Sequence, residues 1–314
     1  MINSNDITIA KTENICGIDI GNITTEATTS KGTNVFESRL AKATDLKKIA
    51  GATSFEMVKE GESFLVNQGE FENNSFKYDK ENFIQLLHYA IAMSMSSGNI
   101  KLATGIPAHQ YNSFKDEMKN KIMMNNKVSV KINDEIKNIL IEECIVMPES
   151  YGIFKMTDPS LLVEGARTVV IDIGGGSTDL SFFDENGKFV DGDSIDLGLL
   201  DLYRDVQVEV QNKFKLIFPI EDIKKYFDGE FNPIGLTDEA KNTPTIENFK
   251  LLMNRIAGKC KGIKQQNVIV AGGGAKVYGQ LFKRLLPQTI INTDIAANSK
   301  AYYSAGVQKW QKKN

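Results

Sequence analysis

Residues 168–180 read TVVIDIGGGSTDL, in which an apolar β-branched run ends on Asp172 and three glycines follow after Ile173. The run predicts a buried strand, the glycines predict a tight turn, and the alternation that restarts at Leu180 predicts a second strand. Glycines leave room for backbone N–H groups to close around an anion, and Ser177 and Thr178 add hydroxyl donors. Because Asp172 would repel a phosphate, the pattern also calls for a divalent cation between them.

The same pattern occurs a second time, near the start of the chain. Residues 15–28 read ICGIDIGNITTEAT, and Asp19 precedes Asp172 by about half of the 314 residues. The first copy carries Asn22 and Ile23 where the second copy has two of its glycines. Aligned on the aspartates, the matching pairs are Ile18/Ile171, Ile20/Ile173, Gly21/Gly174, Thr24/Ser177, Thr25/Thr178 and Glu26/Asp179. This repeat predicts two related α/β domains, each opening with a phosphate-binding strand–turn–strand.

Composition narrows the class of protein. A hydrophobic content of 41% and a charged content of 25% are typical of a soluble protein with a large core. The net charge of -3, without a long basic run, argues against direct binding of nucleic acid. No apolar run approaches the roughly 20 residues of a membrane span, and the N-terminus lacks the pattern of a signal peptide. The three cysteines are far apart and fit no metal spacing, so they predict buried reduced thiols in a cytoplasmic protein. With two histidines, a His-based metal site is not expected.

Other segments predict the connecting elements. Residues 55–66 read as a hairpin, and a helix over about 80–97 is expected with Asp79 as its N-cap. Residues 127–141 predict a second hairpin, and 145–147 a short strand that runs into Pro148 and Glu149. Further helices are predicted at about 199–213, 245–261, 277–286 and 297–310. Residues 219–247 form the segment that is expected to be most exposed to solvent.

A third glycine turn completes the pattern. The apolar strand at 268–271 opens into Gly272-Gly273-Gly274, and three such turns after strands resemble the actin-like ATPase superfamily. The segments KEGESFLV, ATGIPAHQY and MPESYGIF are most similar to the plasmid-segregation filament proteins of the ParM/StbA type. The resemblance covers about 15–310. It implies an α/β actin-like fold of two RNase H-like domains around a nucleotide cleft: domain I from 1–164 with about 297–314, and domain II from 165–296.

The resemblance also implies roles for individual residues. Asp19 and Asp172 would hold Mg²⁺, mostly through waters, and Glu149 and Asp172 would be catalytic, with Glu149 orienting or deprotonating the attacking water. Tyr278 is left with two readings, a ring beside the purine or a core aromatic at the start of a helix. The nucleotide-binding residues so implied are Gly21, Asn22, Thr24, Gly174, Gly175, Gly176, Ser177, Thr178, Gly272, Gly273, Gly274 and Tyr278.

The implied function is a nucleotide-dependent, filament-forming ATPase or GTPase. Subunits would stack head to tail, and the filament would move plasmid DNA through a DNA-binding adaptor of the ParR type, without direct contact with nucleic acid or membrane. The implied setting is the cytoplasm of a bacterium, from a plasmid gene. The alternative is a monomeric small-metabolite kinase or phosphatase of the same superfamily. A third possibility, a scaffold of cell shape or division, lacks the expected membrane-binding amphipathic terminus.

Overall fold

The computed structural model of this chain describes residues 14–44, 53–71, 76–232 and 236–311. These residues divide into two compact units. Unit 1 contains the described residues up to Thr157 together with those from Ile295 onward, and unit 2 runs from Asp158 to Asp294. Both units mix helices with a sheet, as the predicted α/β class requires.

Unit 1 is built on a nine-stranded sheet in the order β3-β2-β1-β7-β9-β8-β5-β6-β4. Its strands are β1 (Ile15–Ile20), β2 (Thr24–Thr29), β3 (Gly32–Glu37), β4 (Leu40–Lys42), β5 (Ser54–Met57), β6 (Glu62–Val66), β7 (Gly98–Ile106), β8 (Lys127–Ile132) and β9 (Glu135–Pro148). Its α-helices are α1 (Phe83–Ser94), α2 (Tyr111–Met124) and α3 (Tyr151–Met156), and short 3-10 turns lie at Lys77–Asp79 and Ala108–Gln110.

Unit 2 is built on a five-stranded sheet in the order β12-β11-β10-β13-β14. The strands are β10 (Thr168–Ile173), β11 (Thr178–Phe183), β12 (Phe189–Ile195), β13 (Asn267–Ala271) and β14 (Thr289–Ile291). The helices are α4 (Leu199–Phe214), α5 (Ile220–Asp228), α6 (Asp238–Lys259) and α7 (Gly274–Leu285). The last helix of the chain, α8 (Ala297–Gln311), belongs to unit 1.

The sequence repeat is also a repeat of topology. In unit 1, β1 pairs antiparallel with β2 and parallel with β7, and β9 is parallel to β7. In unit 2, β10 pairs antiparallel with β11 and parallel with β13, and β14 is parallel to β13. The row β3-β2-β1-β7-β9 therefore has the same order and directions as the row β12-β11-β10-β13-β14.

Helices cover both faces of β1. All six residues of the strand are buried, and successive side chains point to opposite faces. Cys16, Ile18 and Ile20 join the core that contains α1. Gly17 lies on the other face, where an added Cβ would be 2.3 Å from the carbonyl oxygen of Ser299 in α8. A glycine is therefore required for α8 to pack this closely on β1.

Three boundary predictions need correction. Asp79 is not the N-cap of α1; it ends a 3-10 turn, and Asn82 holds the N-cap position. The expected separate strand at 145–147 is the end of one long strand, β9, which pairs with β7 from Ile139 to Pro148. Helix α6 starts at Asp238, before the predicted 245, because Thr237 caps it and Pro244 is accommodated in its second turn. The hairpins at 55–66 and 127–141 are confirmed.

Candidate functional site

The two glycine turns have the same backbone structure. Asp19, the residue before the last of β1, pairs with Glu26, and the N–H of Gly21 donates to the Thr24 carbonyl at 2.9 Å. Asp172 stands opposite Asp179, and the N–H of Gly174 donates to the Ser177 carbonyl at 2.9 Å. The predicted strand–turn–strand is thus confirmed in both units, with the aspartate at the same register position.

The second turn is held by the start of helix α4. The carbonyls of Gly174 and Gly175 accept from the N–H groups of Leu199 and Leu200, at 3.0 and 2.8 Å. In the part of the chain that the structure describes, the amides of the buried Gly175 and Gly176 have no protein acceptor. Because a buried N–H group that lacks a partner is costly, these two amides suit an anion as their acceptor.

The hydroxyls of the second turn already donate within unit 2. The Ser177 hydroxyl donates to Asp179 Oδ2 at 3.1 Å, and the fully buried Thr178 hydroxyl donates to the Leu197 carbonyl at 2.8 Å. Direct donation from these hydroxyls to a phosphate would require these bonds to change. The amides are therefore the better placed donors of this turn, and the phosphate contact of the two hydroxyls stays a prediction.

The third glycine turn lies against the second one. Strands β10 and β13 are parallel, with Asp172 beside Ala271. Gly272 has a φ of +76°, and a Cβ there would lie 2.4 Å from Asp172 Oδ1 and 2.6 Å from the Ile173 carbonyl oxygen. Only glycine combines this left-handed backbone with so close an approach. Unit 2 therefore brings Asp172, the second turn and the third turn to one edge of its sheet.

Tyr278 is placed in the core of unit 2. Its ring is only 2% exposed and stacks on Phe249 at 5.9 Å, while Phe249 meets Phe282 edge-on at 5.1 Å. This arrangement matches the second of the two readings, the core aromatic at the start of a helix. Contact with a base stays a prediction.

In unit 1 a lysine joins the two predicted functional carboxylates. Lys77 Nζ donates to Asp19 Oδ1 and, at 2.5 Å, to Glu149 Oε1. Only 6% of the Lys77 side chain and 12% of each carboxylate side chain are exposed. Burial by itself would lower the pKa of Lys77, but the charges and hydrogen bonds of Asp19 and Glu149 outweigh it and raise the pKa above its usual value. The lysine therefore stays an ammonium ion.

Sequence reasoning missed Lys77 completely. It lies in the 3-10 turn Lys77–Asp79, which carries no recognisable motif, and 58 residues separate it from Asp19. The nearby Lys80 donates to the carbonyl of Gly21 at 2.9 Å, so the same short segment also contacts the first turn. The one available signal was a pair of lysines close to a helix start, which is common on surfaces.

The backbone around Glu149 is firmly positioned. Its N–H donates to the Ile106 carbonyl at 2.9 Å, which continues the pairing of β9 with β7. Ser150 follows in the left-handed region with a φ of 65°, and its N–H donates to Asn298 Oδ1 of α8 at 3.1 Å. A non-glycine residue in this region costs energy and persists only where its surroundings fix it. The structure thus places the predicted catalytic glutamate on a rigid support.

The donor set of the predicted metal site is small. In the described ranges, no group of three or more His, Cys, Asp or Glu side chains could hold a metal ion by itself. Mg²⁺ commonly takes one or two carboxylates, keeps several waters and takes further oxygens from substrate phosphates. Asp19 in unit 1 and Asp172 in unit 2 are each 8% exposed and next to the last residue of a strand, so each can offer a carboxylate to such an ion.

Two further predictions concern the rest of the chain. The three cysteines are free and buried, as expected, and burial raises the pKa of Cys16 and of Cys144 to about 12. Such thiols are unreactive at neutral pH. Among the helices that the structure describes, none has the length and apolar character needed to span a bilayer.

Comparison with known proteins agrees with this architecture. Residues 17–152 match the family model of actin-like proteins, N-terminal domain. No curated protein matches the sequence. An archaeal actin homolog in complex with ADP superposes with a TM-score of 0.79 at 16% identity, covering 94% of this chain and 99% of that one.

Two ParM structures are similar as well. The 15-stranded ParM filament from Clostridium botulinum has a TM-score of 0.77 at 18% identity, covering 94% of this chain and 99% of that one. The apo psk41 ParM protein has a TM-score of 0.68 at 18% identity, covering 95% and 99%. Residues 17–152 therefore resemble the N-terminal domain of actin-like proteins, and the chain as a whole shares the fold of these actin-like structures.

Proposed function

We propose that this protein is a nucleotide-dependent, filament-forming ATPase or GTPase. The observation that carries the proposal is the duplicated turn, in which Asp19 and Asp172 hold equivalent positions near the ends of matching strands and the same glycine hydrogen bond closes each turn. One such turn is a weak signal of phosphate binding, but two copies on matching sheets are far more specific. In this proposal, units 1 and 2 correspond to actin-like domains I and II.

The phosphates are held mainly by backbone amides. The free amides of Gly175 and Gly176 are the donors of the second turn, with Gly174, Ser177 and Thr178 completing it. Gly21, Asn22 and Thr24 form the corresponding turn of unit 1, where all three residues are half-buried. The third turn, Gly272 to Gly274, lets the backbone approach the nucleoside. Tyr278, which lies in α7, packs beneath this turn or contacts the base.

Asp19 and Asp172 are the residues that would hold Mg²⁺. When bound, the ion would neutralise the charge that develops on the transferred phosphoryl group. The protein's own residues do the rest. Asp172 is adjacent to the second and third turns and orients the phosphates that these turns bind. Glu149 orients or deprotonates the attacking water.

The nucleotide acts as a switch for assembly. Neighbours of this fold include a ParM filament, and a head-to-tail contact that does not close generates a fibre. Hydrolysis weakens the contact between subunits and returns them to solution. We further propose that the filament moves plasmid DNA through a separate adaptor of the ParR type, in the bacterial cytoplasm. The net charge of -3 supports such indirect attachment to DNA.

Right-angle light scattering tests the proposal. Addition of ATP or GTP with Mg²⁺ to the full chain should raise the scattering, which then decays as phosphate is released. Nucleotide with EDTA is the control and should leave the scattering low. Scattering that never responds to nucleotide, with phosphate released only when a small acceptor is supplied, would instead indicate a monomeric kinase or phosphatase.

Glu149→Ala tests the hydrolytic step separately from assembly. The variant should assemble with nucleotide and then fail to disassemble, because filament turnover depends on phosphate release. Sedimentation at successive times measures the assembled fraction, and a phosphate assay measures hydrolysis. Unchanged phosphate release would remove Glu149 from its proposed role.

A further inference from the structure

A buried ammonium ion lies between the two functional carboxylates of unit 1. Lys77 Nζ donates to one oxygen of Asp19 and, at 2.5 Å, to one oxygen of Glu149. Since both carboxylates accept from the same nitrogen, their charges lie close together in a site with little exposure to solvent. Two like charges in such a site repel strongly unless a cation separates them.

The segment that carries Lys77 is well fixed. It forms a 3-10 turn before α1, and the Tyr78 carbonyl accepts a hydrogen bond from Lys121 of α2. Tyr78 itself is only 3% exposed and packs with Phe76 and Phe114. The ammonium is therefore presented to the carboxylates by a packed turn rather than by a mobile surface chain.

We infer that Lys77 is a positioning residue and the built-in counter-cation of this site, holding Asp19 and Glu149 side by side when no divalent cation is bound. The roles of the two carboxylates rest on the function proposed above. The pairing of their negative charges with the positive charge of Lys77 does not depend on that function. Without Lys77 the two carboxylates lose the cation that they share. The structure without nucleotide would then need a divalent cation for its stability.

Replacement of Lys77 with methionine removes the charge and keeps most of the side-chain volume. In EDTA, without nucleotide, Lys77→Met should unfold at a temperature lower than wild type by on the order of 10 °C, because it removes the cation that two buried carboxylates share. Excess Mg²⁺ should restore a large part of this loss. The wild-type melting temperature should hardly respond to Mg²⁺ under the same conditions.

A double variant shows whether Lys77→Met destabilises the protein through the lost charge or through altered packing. Lys77→Met combined with Glu149→Gln removes one negative charge together with the positive one, so its stability in EDTA should recover and its response to Mg²⁺ should disappear. Lys42→Met is the matched control. It breaks an exposed ion pair with Glu62 at 2.9 Å and should shift the melting temperature by no more than about 2 °C.

Two results would overturn the inference. One is a Lys77→Met variant that is destabilised but insensitive to Mg²⁺, which would indicate a packing role. The other is a double variant that stays as unstable as the single one; this comparison remains decisive even if Lys77→Met alone does not fold. All measurements are made without nucleotide. Failure of the protein to bind nucleotide would therefore refute the proposed function and leave the Lys77 result standing.

Discussion

The turns at Gly21 and Gly174 share one backbone geometry but have different surroundings. The first turn lies in a unit where Lys77 joins Asp19 to Glu149 and Lys80 reaches the Gly21 carbonyl. The second turn is supported by backbone, from the start of α4 and from the third glycine turn at Gly272. A duplicated element has thus diverged, so that unit 1 supplies charged side chains and unit 2 supplies amides and close backbone approach.

The largest effect is expected at the carboxylate proposed to act in hydrolysis. Comparing variants in the two units tests whether this carboxylate belongs to unit 1 alone. Glu149→Gln keeps the shape of the side chain but removes the base, so phosphate release at saturating nucleotide should fall by about 10²–10⁴-fold. Asp179→Asn is the matched change in unit 2, at a buried carboxylate that accepts from the Ser177 hydroxyl. It should lower the rate by less than about tenfold. Equal losses in the two variants would contradict the division of roles.

The next largest effect is expected at Gly272 in unit 2, where the backbone lies very close to the Asp172 side chain. Gly272→Ala would place a Cβ 2.4 Å from Asp172 Oδ1 at a φ of +76°, so it should destabilise the chain by at least about 1–3 kcal/mol and weaken nucleotide binding. Gly273→Ala is the control, since its Cβ would lie 3.2 Å from Leu199 Cδ1 without a positive φ. Thermal unfolding and the affinity for a fluorescent nucleotide measure both variants. Similar behaviour of the two would show that the third turn can relax.

A smaller effect compares the two turns directly. A Cβ at Gly21 would lie 2.7 Å from the Thr24 carbonyl oxygen, whereas a Cβ at Gly174 would lie 3.2 Å from that of Ser177. Gly21→Ala should therefore cost about 1–2 kcal/mol of unfolding free energy, and Gly174→Ala less than about 1 kcal/mol. Denaturant titration checks the order of the two variants. The reverse order would mean that the first turn is the more adaptable one.

The smallest effect is a pH dependence confined to unit 1, which contains both histidines. Burial lowers the pKa of His88, while its bond to the Asn125 carbonyl at 2.9 Å and the charge of Glu60 act in the opposite direction. His88 is therefore neutral when folded and protonates more readily when unfolded. Its contribution is present above the unfolded pKa of about 6.5 and is lost as the pH falls toward the folded pKa.

The measurement is the unfolding free energy between pH 7.5 and about 5.5, where one proton contributes at most about 1.4 kcal/mol per pH unit. His88→Gln should flatten this slope. A slope that His88→Gln does not change would assign the acid sensitivity to carboxylates instead.

Much of the architecture was predictable because it rests on local patterns. Both strand–turn–strand motifs, the third glycine turn and the hairpin at 55–66 follow from alternating apolar residues and glycines next to one another in the chain. Helix ends were less predictable. Asp79 has the chemistry of an N-cap but ends a 3-10 turn, and the helix predicted from about 245 starts at Asp238, with Pro244 inside it. Propensity acts over a few residues, whereas packing decides such boundaries.

The sequence determined the duplicated turn, the two aspartates and the glycines that a left-handed or crowded backbone requires, since these depend on residue type and spacing. Only the tertiary structure decided which side chains meet there. Lys77 is joined to Asp19 and Glu149 across 58 and 72 residues, and Asn298 of the last helix supports Ser150 across 148. Such contacts arise where strands and helices from distant segments pack on one sheet edge. No local pattern in the chain specifies these contacts, because the charge balance of a buried site depends on every charged side chain that the fold places near it.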